Sequence, residues 1–74
     1  MKTLTLKRRS QVVYEANGRD LDAALRRAAR TVAPSYDRVG LCNHTPGGNV
    51  YHVQFGKSAG NATSLSDLYV ATWE

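Results

Sequence analysis

The sequence has a single cysteine, Cys42, among 74 residues. No internal disulfide can form, so the disulfide-stapled architecture of small secreted domains is excluded. Long apolar runs are missing as well. None approaches the ~18 residues that a membrane-spanning helix needs. Carboxylates are few, six against ten Lys plus Arg, which excludes a mimic of DNA, since such a mimic must be acidic. Length itself is short. It leaves no room for a second domain, nor for a barrel or doubly wound sheet of about 200 residues. A chain of this size buries only roughly 60% of its unfolded surface, so one small core is expected. The sequence shows neither an internal repeat nor a linker.

What is present is a 42% hydrophobic fraction, enough for a globular core. The net charge is +4, and seven of the ten cations are arginine. That balance keeps a small domain in solution, and it also suits an anionic partner, either nucleic acid or an acidic protein surface. At the N-terminus the basic run Lys7-Arg8-Arg9 follows alternating residues instead of preceding an apolar block. This reverses the order of a signal peptide, so a cytoplasmic protein without membrane association is expected.

Thr3-Leu4-Thr5-Leu6 alternates with period two, and Gln11 to Ala16 gives a second strand signal. Between them Lys7-Arg8-Arg9-Ser10 has no Gly or Pro. Either one bent strand or a hairpin fits. A tight two-residue hairpin favours Asn-Gly, so a loose connection is expected. Asn17-Gly18 reads as a break. Asp20 then fits a helix N-cap, and Asp22 suits the first turn. Leu21, Ala24, Leu25, Ala28 and Val32 form an apolar stripe over residues 20–33, which Ala33-Pro34 terminates. Arg19, Arg26 and Arg30 lie opposite that stripe, with Arg27 at its edge.

The remainder reads as β structure. Arg38 to Asn43 and Val50 to Phe55 form a hairpin around a turn at residues 45–49. Tyr51, Val53 and Phe55 share the face that meets the helix. Gly56 to Ser64 is small and polar and reads as a surface loop. Leu68 to Trp73 is the last strand, with Tyr69, Ala71 and Trp73 on one face. The expected class is α+β: a small antiparallel sheet of three to five strands, order β(β)αβββ, with one helix on one face.

No catalytic set emerges. Cys42, His44 and His52 lack a fourth metal ligand and standard spacing. Neither the serines nor Cys42 sit in a nucleophile motif with an oriented base. No enzyme activity, cofactor or metal is expected. The segment Gly48 to Phe55 is similar to the sheet motif of an RNA-recognition domain only at Val53 and Phe55, and that fold needs two helices. Binding is the remaining class. Arg, Tyr and Trp are the usual interface anchors, and Trp73 is either such an anchor or a core residue clamping the last strand.

The layout resembles the small phage-encoded anti-CRISPR proteins that act on type I systems. The segments that carry the resemblance are Val12-Val13-Tyr14-Glu15-Ala16, then a helix opening Asp20-Leu21-Asp22-Ala23-Ala24-Leu25, then Val39-Gly40-Leu41, Val50 to Phe55 and Leu68-Tyr69-Val70. It implies a non-enzymatic, monomeric inhibitor. Such an inhibitor binds protein subunits of the multisubunit surveillance complex Cascade in the host cytoplasm and blocks target DNA binding. Many DNA-blocking inhibitors are acidic and this chain is basic, so its block would come from covering a protein surface or an acidic patch. No motif transfers a contact set. The candidate contacts therefore come from this sequence: Arg19, Arg26 and Arg30 first, then Arg8, Arg9 and Arg38. The alternative is a small basic regulatory protein that binds nucleic acid directly.

Overall fold

A computed structural model describes residues 1–44 and 48–74, with the side chains of 41–44 and 59 outside the description. Strand β1 spans Lys2–Arg8 and β2 Gln11–Gly18. Helix α1 spans Leu21–Val32. Strands β3 (Arg38–His44), β4 (Val50–Ala59), β5 (Ala62–Leu65) and β6 (Tyr69–Trp73) follow. The sheet order is β2-β1-β6-β4-β3, with β5 continuing the pairing along β4. Every pairing is antiparallel. The α+β class, with one helix on an antiparallel sheet, is the class expected from the sequence, but the sheet has six strands where three to five were expected, because β5 is added to β4.

The helix forms where the stripe places it. Asp20 stands outside it with extended backbone, and its Oδ2 accepts a hydrogen bond from the Ala23 N–H at 3.1 Å. This satisfies one of the donors that a helix start leaves open. Ala24, Leu25, Ala28 and Ala29 are buried from α1. They meet Leu4 and Leu6 of β1, Val53 and Phe55 of β4, and Tyr69, Ala71 and Trp73 of β6. The Phe55 and Tyr69 rings lie 5.2 Å apart and tilted by 57°, within the range of favourable aromatic pairs. Alternation places Thr3, Thr5, Val50, His52, Val70 and Thr72 on the other face, where no helix covers them.

The alanines let the helix approach closely. A Cβ built on Gly18 would lie 3.4 Å from the Ala24 Cβ and 3.5 Å from the Trp73 ring. Gly18 is thus a contact point as well as the last residue of β2, where the break was expected. Trp73 is only 7% exposed, so it is the core clamp and not an interface anchor.

Two connections differ from expectation. Arg8 stands opposite Gln11, so Arg9-Ser10 is a two-residue turn, with φ of 53° and 65°. Positive φ at both central positions is the type I′ pattern that usually takes Asn-Gly. Strand β1 is held on its other edge by β6 as far as Lys7, and this pairing sustains a turn that its own residues disfavour. A register shift between Leu6 and Lys7 leaves Val13 as the extra residue of a bulge. The expected loop over Gly56 to Ser64 is instead a hairpin, with Ala59 opposite Ala62 and Gly60 at φ +63°. Positive φ at the first central position, filled by glycine, marks a II′-type turn. Every residue of β5 is exposed, so no apolar alternation announces it. The expected turn residues 45–47 lie outside the described residues.

Candidate functional site

The helix and the start of β3 leave an open groove of roughly 590 Å³ between them. Asp22, Arg26, Ala29 and Arg30 line it from α1, and Tyr36, Asp37, Arg38 and Val39 from the other side. The spacing of the helix residues explains this. Positions 22, 26, 29 and 30 recur at intervals of three and four and therefore share one flank. On that flank Asp22 and Arg26 form an ion pair at 3.0 Å. Both side chains are largely exposed, so the pair contributes only about 0.3–0.5 kcal/mol. Arg30 occupies the last turn of the helix, where a cation favours the dipole.

Tyr36 and Arg38 arrive there because the helix ends cleanly. The Ala33 N–H donates to the Ala29 carbonyl at 2.8 Å and the Tyr36 N–H to the Ala33 carbonyl at 3.0 Å. The chain turns within three residues, and the Asp37 N–H donates to the Gly56 carbonyl at 2.9 Å as β3 begins. Arg38 pairs with Gly56, and its Cβ lies 3.7 Å from where a Gly56 Cβ would stand. Gly56 follows the buried Phe55, so Arg38 starts on the sheet face away from the helix and borders the groove at its rim. Among the described residues, Arg30 and Arg38 make no ion pair.

The six arginines singled out from the sequence therefore separate. Arg26, Arg30 and Arg38 come together. Arg19 precedes the helix and is exposed, but it does not border the groove. Arg8 lies 3.6 Å from Asp67, in a shallower depression bordered by Val32, Pro34 and Tyr69. Arg9 stands at the tip of the β1–β2 turn. The sequence reading missed Tyr36, which lines both concavities. Its signal was its place between a helix stop and a strand start.

For metal chemistry, the register of β3 on β4 shifts between Leu41 and Asn43. The side chains of Cys42 and His44, on which the metal reading falls, lie outside the described residues. His52 is half-buried on the face away from the helix. Among the described residues no group of three His, Cys, Asp or Glu could hold a metal ion, and no helix is long and apolar enough to cross a membrane. What the groove can do is electrostatic. Arg30 and Arg38 border the same groove as Tyr36, and arginine donors recognise carboxylate or phosphate groups. No family model, curated protein or solved structure matches the chain.

Proposed function

We propose that the protein is a non-enzymatic binding module whose groove between α1 and β3 docks on an acidic protein surface. The observation that carries this reading is that Arg26, Arg30, Tyr36 and Arg38 line one groove. These residues come from two elements separated in sequence. Interface hot spots are enriched in Arg and Tyr, and a carboxylate entering the groove would exchange water for bidentate arginine contacts. The resemblance in layout to type I anti-CRISPR proteins directs the first search for a partner to Cascade, whose target DNA binding the docked module would block.

The test is retention of purified type I Cascades by the immobilised protein, beside an Arg26→Glu/Arg30→Glu variant. Both positions are exposed, and surface changes usually shift stability by no more than about 0.5 kcal/mol each. The variant should therefore fold and lose retention. Failure of every Cascade to bind the parent protein removes the inhibitor reading. Retention undiminished in the variant removes the groove.

A further inference from the structure

The sheet register distributes charge unevenly. One end of the sheet gathers the β1–β2 turn, the start of β3, the β4–β5 hairpin, the start of β6 and the C-terminal turn of α1. This end holds Lys7, Arg8, Arg9, Arg30, Arg38 and Lys57, six cations, against two carboxylates, Asp37 and Asp67. The surplus of four equals the net charge of the whole chain. In the rest of the molecule four cations, Lys2, Arg19, Arg26 and Arg27, balance four carboxylates, Glu15, Asp20, Asp22 and Glu74. The molecule measures 37 × 23 × 22 Å.

A second, independent observation falls at the same place. Arg9 and Ser10 hold φ of 53° and 65°, a conformation that an Asn-Gly pair adopts with less strain. Strained backbone at an exposed tip points to a use for the side chain displayed there. We infer that this end of the sheet binds the phosphate backbone of duplex nucleic acid, with Arg9 at its apex. This end shares Arg30 and Arg38 with the groove between α1 and β3, and the distinction from that groove rests on other residues. The end's three defining cations, Lys7, Arg9 and Lys57, come from two hairpins and do not line that groove.

Three features favour a duplex over an acidic protein. The cations emerge separately: Lys7 near the end of β1 where it is flanked by β2 and β6, Arg9 at one tip, and Lys57 on another ribbon. They do not converge on one carboxylate. The turns Arg9-Ser10 and Gly60-Asn61 offer no aromatic side chain for a protein hot spot, and nucleic-acid interfaces are the more polar and more cationic kind. Even the shortest extent of the molecule, 22 Å, spans on the order of a dozen duplex phosphates, at one charge per ~1.7 Å. Contacts of this kind fix position on the duplex without reading sequence.

The experiment is fluorescence anisotropy with a labelled DNA duplex of about 20 base pairs. Four phosphate contacts predict that affinity falls about 150-fold between about 50 and 200 mM salt. A Lys7→Gln/Arg9→Gln/Lys57→Gln variant should reduce that fall to about 3- to 4-fold, and Arg9→Gln alone should reduce it by a factor of about 3 to 4. A Lys2→Gln/Arg19→Gln/Arg27→Gln variant loses the same net charge from the other end and should bind as the parent does. The inference is overturned by absence of binding at the lower salt with protein at about 100 µM. It is equally overturned if the two triple variants lose affinity alike, or if poly-glutamate binds as tightly as the duplex. Arg9→Gln keeps the decision open to measurement should the first triple variant melt.

Discussion

Replacing Arg9-Ser10 by Asn-Gly should make the protein more stable. The two residues hold φ of 53° and 65° in a turn closed by the Arg8 and Gln11 pair. A non-glycine residue in left-handed backbone costs roughly 1–2 kcal/mol. Asparagine tolerates that region better, and glycine has no steric cost there but returns about 0.5–1 kcal/mol through its freer unfolded chain. The net gain is about 1–2 kcal/mol. For a domain of this size each kcal/mol moves Tm by about 4–8 °C, so the melt should rise by about 5–15 °C. Thermal denaturation followed by circular dichroism measures it. Urea titration should show a higher midpoint with an unchanged slope, the signature of a pure stability change. An Arg9→Val variant places a β-branched side chain at the same φ and should melt lower than the parent. A double variant that melts at or below the parent would refute the reasoning, because it would mean that the turn is not strained.

Two further outcomes follow from the helix. Leu25 is 1% exposed at the centre of the α1 contact. Leu25→Ala should cost about 2–5 kcal/mol, enough to unfold much of so small a domain, and tryptophan fluorescence of Trp73 will report it. Asp20→Ala removes the acceptor of the Ala23 N–H and should cost about 0.5–2 kcal/mol, read as a lower urea midpoint.

The helix was legible in the sequence because its signals agree. The N-cap at Asp20, the stripe from Leu21 to Val32 and the stop at Pro34 point to one element, and the structure starts and ends it within a residue of that reading. The faces of β4 and β6 were legible for the same reason, since alternation survives wherever one face is buried. Elements that bury nothing left no such trace. The β5 ribbon is exposed throughout, and its Ala, Thr and Ser read as loop. The Arg9-Ser10 turn ran against its own residue preferences, because the pairing of β1 with β6 is a long-range fact that no local window contains. The groove was half legible: helical spacing aligned Arg26 with Arg30, while the approach of Tyr36 and Arg38 depends on how the chain turns after Ala33. Charge was visible as a total and invisible as a polarity, since only the register brings Lys57 to the same end as Lys7.

Strand β6 also governs the order of assembly. It lies between β1 and β4 and, among the described residues, is the one strand that joins the two halves of the sheet. The residues before Tyr69 contain two units, the β1–β2 hairpin and the β3–β4–β5 set, each paired between strands adjacent in sequence and each able to form early. They share no strand pairing until β6 inserts between them, and the insertion closes a loop of more than sixty residues back to β1. That closure carries the largest entropic cost in the fold. The transition state should therefore be set by Tyr69, Ala71 and Trp73 docking, so truncating these side chains should slow folding, while changes at the hairpin tips should act mainly on unfolding.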